Sequence, residues 1–522
     1  MDLMNNTKPI KTVINSKNIL LVSLQENVNV MGIKFIHYYL MQMKFNPHLL
    51  LLPYFKKSDE TTCERIKEYI LKFNPLFIGI SLMSNEFHLA CRISIYLKKH
   101  FPQKLIIWGG IHPSLEPGTS LEFCDYVVIG EGEKTVADVA EALSKEESIN
   151  NIPNIFYLKD KKVVQNKTHP LLTEKELDQL DHWDHIPNNS FVQKLNNEIV
   201  PLDKNYFRKN GKFHGKMYDL ITARGCAFMC TYCCNSFYDN LYASARKIRR
   251  RSVENIILEL EDQISKYPEI SMIHIQDDAF ISCTLDYIKI FCTAYDARIK
   301  IPFIVHAIPV SVTRKKMEVL SSSYLSWINM GLQSGSDNVL KNVYKRNSLV
   351  KHFMNAAKLV KEFNIAGKYD VILDCFFESE EEKLMTVKVL IDTPKPYLLE
   401  CYSLTLYYGT AIYEKALREH PDKVKDCCDK NYLKNESNII NGLTFLAVAC
   451  PLPLMKILMK WYHENPKTLK FNLLYKISYF LMTVYFKPLS YLKIFMISNG
   501  NSYLKSLQTI QIFFKEALRK NI

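Results

Sequence analysis

The chain has 522 residues, 48% of them apolar and 23% charged, with a formal net charge of +13 and fourteen cysteines. That length exceeds one ordinary domain and predicts two to four with real apolar cores, while the charge is moderate and fits an anionic partner or a membrane surface as well as neither. A disulfide framework is excluded by the irregular cysteine spacing, which suits a reducing cytoplasmic compartment where thiolates can hold metal. The stretch from Met1 to Lys17 is polar and lacks an apolar signal core, so it is expected as a flexible N-terminus with nothing that marks it for secretion. A membrane span is excluded because the longest apolar stretch, Ile477 to Phe486, is about half the length required.

From Asn18 the chain alternates strand-like and helix-like stretches. Asn18–Ser23, His48–Pro53, Leu76–Ser81 and Lys104–Gly110 read as strands; Gly32–Met43, Glu60–Phe73 and Phe87–His100 read as helices. Repeated βα units with continuous apolar strands predict a doubly wound parallel sheet over residues 18–148, with ligands bound at the carboxyl ends of the strands. Ser81 and Leu82 close one such strand and Gly109–Gly110 the next. A third end carries Gly130-Glu-Gly-Glu133, a glycine loop before a helix starting near Thr135. Residues 149–215, with prolines at 153, 170, 187 and 201, read as a linker with one short hairpin.

The apolar run Met217–Thr222 then leads into Cys226-Ala-Phe-Met-Cys230-Thr-Tyr-Cys233, a CxxxCxxC spacing. Three thiolates on one loop can anchor three irons of a 4Fe-4S cubane and leave the fourth iron open to bind substrate. A zinc site would call for a second CxxC pair downstream, and there is none. Cys234 follows the triplet directly. The basic run from Arg246 to Arg251 reads as a solvated patch or as counter-charge for an anionic cofactor.

Beyond the cysteines the βα alternation resumes, and residues 216–415 are expected to form a partial (β/α) barrel with function at its strand C-termini. Ser252–Tyr267 is an amphipathic helix; Ser271–Asp278, Pro302–His306, Trp327–Gly335 and Lys368–Asp374 are strands; Ser348–Asn364 is a helix. Asp277 and Asp278 end one strand, and Gln333 and Ser334 another. Residues 416–522 are expected as a helical tail. Tyr503, Leu507, Ile510, Phe514 and Ala517 share one helical face, explained most simply by packing against the barrel, with an apolar substrate or a membrane interface as the minority reading.

The cysteine spacing, with Tyr232 before the last cysteine, resembles the radical S-adenosylmethionine (SAM) enzymes. Gln276-Asp-Asp-Ala-Phe280, Gly331-Leu-Gln-Ser-Gly-Ser-Asp337 and Tyr407–Tyr413 resemble later segments of that family over residues 216–415. Departures are Gln333 where glutamate is usual, Asp374–Glu380 in place of Gly-x-Pro-Gly-Glu-Thr, and Tyr408 where proline is common. Upstream, Trp108–Pro113, Asp125-Tyr and Gly130–Glu133 resemble the Rossmann-like cobalamin-binding domain that precedes the radical SAM domain in one large subgroup. The loop Gln25–Gly32 lacks the histidine that other cobalamin proteins place in DxHxxG, so the resemblance implies cobalamin bound with its base displaced and no histidine on cobalt. His37 and His112 are read as surface or cap residues.

The resemblance implies three cofactors: a 4Fe-4S cluster on Cys226, Cys230 and Cys233; SAM on its open iron, near Tyr232, Asp277, Asp278, Gln333 and Ser334; and cobalamin at Ser81, Leu82, Gly109, Gly110, Gly130 and Glu131. It further implies reductive cleavage of SAM to a 5′-deoxyadenosyl radical and methyl transfer to an unactivated carbon of a small-molecule, lipid or peptide substrate. An external electron donor such as flavodoxin or ferredoxin is expected, and nucleic acid is not. The alternatives are an RNA methylthiotransferase-like enzyme, a cobalamin-dependent cyclase or rearrangement enzyme and, more remotely, a non-catalytic sensor.

Overall fold

The computed structural model describes residues 17–56, 59–180, 184–242, 247–429, 432–448, 450–464 and 480. The N-terminus before Lys17, the helical face from Tyr503 to Ala517 and all but one residue of Tyr475–Phe486 lie outside the described residues. Among the described residues, 17–26, Gly32–His169 and Pro187–Leu202 form one compact unit; Asn27–Met31, Pro170–Ile186 and 203–464 form a second.

In the first unit, β1 (Asn18–Ser23), β2 (Asn46–Leu51), β3 (Phe77–Ser81), β4 (Leu105–Gly109) and β5 (Tyr126–Val128) make a parallel core in the order β5-β4-β3-β1-β2. The chain moves one way from β1 to β2 and the other way through β3 to β5, so strand order reverses at β1, as the doubly wound reading requires. Runs such as Leu20-Leu-Val22 and Leu49–Leu52 are wholly buried because helices cover both faces. The crossover helix Glu60–Phe73 starts where Asp59 Oδ1 accepts from Thr62 N at 2.8 Å, and ends where Asn74 turns left-handed at φ 42°.

The stretch expected as a linker adds four strands to this sheet. β6 (Ile155–Lys159) and β7 (Lys162–Gln165) extend β5 as an antiparallel hairpin, while β8 (Ser190–Gln193) pairs with β2 and β9 (Ile199–Pro201) with β8. They satisfy backbone groups that an open parallel edge would leave unpaired. The sequence reading anticipated one short hairpin in this stretch but not that it joins the sheet.

The second unit carries β10 (Met217–Leu220), β11 (Ala223–Arg224), β12 (Arg249–Arg250), β13 (Met272–Ile275), β14 (Phe303–Ala307), β15 (Leu325–Gln333), β16 (Ala366–Leu373) and β17 (Leu398–Ser403). Six of them form a parallel sheet in the order β10-β13-β14-β15-β16-β17, and β11 pairs with β12 separately. One face of the six-stranded sheet packs on helices: the Phe303 ring meets Phe291 and Tyr295, and Tyr369 meets Phe353. On the other face Met217, Met272, Ile304, Trp327, Ala366 and Leu398, one from each strand, close into an apolar cluster with Phe213. That cluster is the floor of the barrel interior. Downstream, Asp374 at the end of β16 accepts from Ser403 Oγ at 2.6 Å, Glu436 N at 3.0 Å and Asn441 Nδ2 at 2.7 Å, tying in the buried helix Ile439–Ala447.

Candidate active site

The cysteine loop leaves the barrel at the carboxyl end of β10 and is held at both ends. At its start, Thr222 N and Ala223 N donate to Asp277 Oδ1 at 2.7 and 3.0 Å, and Thr222 Oγ1 donates to Asp277 Oδ2. Burial raises the Asp277 carboxyl to about 6 against the pull of these donors and of Arg250. Asp277, read from sequence as a cofactor contact, therefore spends its oxygens on the backbone that launches the loop. Further along, Thr231 N and Oγ1 donate to the carbonyls of Tyr344 and Val343 at 3.0 and 2.8 Å, and Ile412 N donates to Thr231 O at 3.0 Å.

The three thiols are close enough to oppose one another's ionisation. Burial pushes Cys226 up to about 12, with Asp278, Cys233 and Cys230 adding to the shift. Cys230 is raised by burial and eased down by Arg346, whose Nη1 lies 4.0 Å from its sulfur. The same Nη1 donates to the Tyr232 hydroxyl at 3.0 Å, and Tyr232 in turn bonds Cys230. Cys233 donates to Cys234, which raises its own thiol and lowers its neighbour's. Three part-buried thiols whose ionisation is unfavourable without added positive charge fit a cluster of iron ions. Asp278 is exposed at its rim, and its carboxyl, raised by the crowding of protein around it, accepts from Asn235 Nδ2 at 3.1 Å.

Two arginines of the basic run, Arg249 and Arg251, are not solvated but spend their charge inside the protein. Arg249 Nη1 donates to Leu172 O at 2.8 Å; Arg251 donates to Ile221 O at 3.0 Å and Asn255 Oδ1 at 2.7 Å and pairs with Glu259 at 2.5 Å. Both are buried scaffolding beside the loop. Arg246 lies outside the described residues.

At the end of β15, Gln333 adopts φ +68°, and its amide folds back over Gly331, occupying space a Cβ there would need (2.1 Å to Nε2). Arg346 Nη2 fixes the Gly331 carbonyl at 2.9 Å. Gln333 Oε1 is buried without a hydrogen-bond partner among the described residues, which leaves one acceptor for a ligand hydroxyl. Ser334 is fully buried; its Oγ accepts from Ser336 N at 3.1 Å and bonds Glu378, a carboxyl that burial raises to about 7.

Sequence reasoning missed a polar layer directly above the barrel floor. Two residues beyond each floor residue stand Asp219, His274, His306, Asn329, Lys368 and Glu400, one from every strand and on the same inner face by the alternation of the pleat. Asp219 Oδ2 accepts from Lys212 Nζ at 3.0 Å and from Asn29 Nδ2 at 2.9 Å; Asp219 Oδ1 accepts from Gln276 Nε2 at 2.7 Å. Burial opposes its charge, but Lys212, His274 and Gln276 hold the carboxyl well below the usual carboxylate range. His274 Nε2 and His306 Nε2 lie 3.0 Å apart. Burial depresses both imidazoles, His306 to about 3. Burial also opposes the charge on Lys368, but Glu400, 2.7 Å from its Nζ, and Asp370 raise it overall. Lone polar residues in apolar strands were the available signal.

In the first unit the glycine ends are partly structural. Gly110 sits at φ +100°, and a Cβ there would lie 2.7 Å from Leu82 O, so only glycine fits. Gly109 is different: an added Cβ would meet only Val128 atoms at 3.7 Å or more. Ser114 Oγ donates to Gly110 O at 2.8 Å and accepts from Gly130 N at 3.1 Å, pinning two strand ends together. Leu82 is buried, Ser81 and Glu131 are half-buried, and the Glu131 carbonyl accepts from Asn154 Nδ2 at 3.3 Å. The backbone at Gly109 is open to a flat ligand, and Gly130 turns beside it at φ +70°.

Neither weighed histidine is a surface residue. His37 is fully buried and its Nε2 donates to Pro47 O at 3.1 Å, at the amino end of β2 and so away from the strand C-termini. His112 is buried too, with Nδ1 3.1 Å from Ser84 Oγ and its ring against Phe87.

The family model described as Radical SAM superfamily matches residues 220–390, and that described as B12 binding domain matches residues 17–140. An uncharacterized methyltransferase of Pyrococcus horikoshii is 24% identical over 363 residues, covering 69% of this chain and 73% of the relative. The solved structure of the cobalamin-dependent SAM radical enzyme OxsB, with aqua-cobalamin and SAM bound, aligns at a TM-score of 0.64 and 17% identity over 97% of this chain and 80% of that one. The radical SAM methyltransferase TsrM from Kitasatospora setae, with tryptophan and a SAM analogue bound, aligns at 0.62 and 17% identity over 77% and 76%.

Proposed function

We propose that this chain, a radical SAM enzyme with a cobalamin-binding domain, is a methyltransferase that acts on an unactivated carbon. The observation that carries the reading is the combination in one chain of a B12 binding domain with a radical SAM domain whose CxxxCxxC loop is buttressed by Asp277 and Arg346. When bound, the cluster supplies the electron for reductive SAM cleavage and cobalamin carries the methyl group.

The protein's own residues hold and orient. Cys226, Cys230 and Cys233 are the cluster ligands in this reading, and Arg346 and Tyr232 bring positive charge and a hydrogen bond to Cys230. Gln333 Oε1 is suited to accept from a hydroxyl of SAM. Ser81, Gly109 and Gly130 stand where a doubly wound sheet takes its ligand. Asp277 is a positioning residue rather than a cofactor contact. No helix of the described residues is long and apolar enough to cross a membrane. A flavodoxin- or ferredoxin-type donor would deliver the electron.

The test is isotopic. In a strain supplied with methyl-labelled methionine, an enzyme-dependent product should carry the label only when cobalamin is present and all three cysteines are intact. The same labelled product from cobalamin-free cells would defeat the methyltransferase reading. An unlabelled product with 5′-deoxyadenosine still formed would replace it with cyclisation or rearrangement.

A further inference from the structure

The polar layer in the barrel interior has the makings of a recognition site that neither the cluster nor SAM uses. Three of its features together define what it can bind. First, Gln276 Nε2 contacts both Asp219 Oδ1 at 2.7 Å and His274 Nδ1 at 2.9 Å. The amide presents its NH2 end to the Asp219 carboxylate, and His274 Nδ1 lies 3.4 Å from the same carboxylate oxygen. His274 Nε2 meets His306 Nε2 at 3.0 Å, so one of the two rings donates to the other and the Nε2 atom of each is already engaged.

Second, Asn329 lies in register with His306 on one side and Lys368 on the other. It is only 7% exposed, yet its Oδ1 has no hydrogen-bond partner among the described residues. A buried primary amide left in this state is an acceptor waiting for a donor. Third, the charges around it are already matched or in anionic excess. Lys368 is paired with Glu400 and Lys212 with Asp219, while Asp370 adds a third carboxyl on the inner face. A carboxylate or phosphate would meet repulsion there, and the depressed histidines offer no cation to receive it.

We propose that this layer seats an uncharged group of the substrate that both donates and accepts hydrogen bonds, of primary-amide or hydroxyl type, paired with the Asn329 amide and His306 Nδ1. The inference rests on the enzyme reading above only in calling that ligand the substrate. It narrows the substrate to molecules carrying such a group, and it makes Asn329 and His306 specificity-determining residues. Asp219 and Gln276 act on the ligand only by holding the His274–His306 pair in place.

The test uses the full chain with its cluster reconstituted and its histidines labelled with nitrogen-15, the His306 signal being assigned by its absence in His306→Gln. Acetamide, acetate and methylammonium are titrated separately as probes. The expected result is a saturable shift of the His306 ring nitrogens with acetamide and none with the two ions at equal concentration. Asn329→Ala should weaken the acetamide response at least fivefold, with the other histidine signals unmoved as the check on folding. A response to acetate or methylammonium that equals or exceeds that to acetamide would overturn the proposal. So would an acetamide response unaltered in Asn329→Ala. The three-probe comparison in the unmodified protein decides the matter even if the variant does not fold. Methyl transfer does not enter the titration, so this inference and the isotopic test fail independently.

Discussion

The Arg346 guanidinium donates to the Tyr232 hydroxyl at 3.0 Å while the same nitrogen stands 4.0 Å from Cys230 Sγ. A buried cation thus sits beside the sulfur that the sequence pattern marks as a cluster ligand. Positive charge and hydrogen bonds at a cluster sulfur favour the reduced state, which carries one more electron. Arg346→Gln keeps a donor but removes the charge. It should lower the cluster's reduction potential and slow 5′-deoxyadenosine formation by roughly tenfold, the equivalent of ~1.4 kcal/mol. Electron paramagnetic resonance during a redox titration, with the product quantified by chromatography, reads both. An unchanged potential would show that Arg346 only packs the loop.

Asp277 holds two backbone N–H groups and one hydroxyl at the entrance to the cysteine loop. In Asp277→Asn one of the two oxygens becomes an NH2 that faces donors, at a cost of about 1–3 kcal/mol. The loop should then loosen before the barrel does. Iron content after anaerobic desalting should fall well below the wild-type value, with the circular dichroism of the sheet and helices preserved. Full iron retention would contradict the assignment of Asp277 as the loop's anchor.

Gly109 and Gly110 should separate in their effects although they are adjacent. Gly110→Ala forces a Cβ to 2.7 Å from Leu82 O at φ +100°, so it should destabilise the first unit by about 1–3 kcal/mol. Gly109→Leu meets no such obstacle and should fold, yet fail to retain cobalamin because its side chain fills the open strand end. Thermal unfolding and the absorbance of cobalamin after gel filtration distinguish the two. Cobalamin retained by Gly109→Leu would move the site elsewhere.

Burial lowers the His37 imidazole from 6.5 to about 4, despite the bond to Pro47 that works the other way. Because the folded value lies below the unfolded one, the unfolded chain binds the extra proton between those two values. The stability that depends on a neutral His37 is complete above pH 6.5 and is lost as pH falls toward 4, at ~1.4 kcal/mol per unit. His37→Gln keeps a donor for Pro47 and cannot titrate. Its urea midpoint should drop less than that of the wild type between pH 7.5 and pH 5. Equal drops would mean that His37 is protonated, and accommodated, in the folded state.

Most parallel core strands of both units and the cysteine loop were legible in the chain itself, because each depends on neighbours within a few residues. Continuous apolar runs such as Leu20–Val22 mark strands covered on both faces, and three thiols within eight positions mark a cluster loop. Of the four strands added to the first sheet the chain announced only one short hairpin, since their pairing rests on backbone bonds that leave no trace in residue type. Arg249 and Arg251 read as surface charge because nothing local announces Leu172, Ile221 or Glu259 as their partners.

The interior layer shows the division most clearly. Asp219, His274, His306, Asn329, Lys368 and Glu400 span 182 positions of the chain, and each on its own is one polar residue in an apolar strand. Alternation along a strand tells which residues share a face, but strand order and register decide which six meet at one height. The chain alone therefore determined the fold class and the pairing of two cofactor domains, and marked Cys226, Cys230 and Cys233 as candidate cluster ligands. Only the tertiary structure gave Asp277 to the backbone, placed Arg346 beside Cys230, and set the His274–His306 pair beside Asn329, whose Oδ1 has no hydrogen-bond partner among the described residues, because each of those relations exists between residues that only the folded sheet brings together.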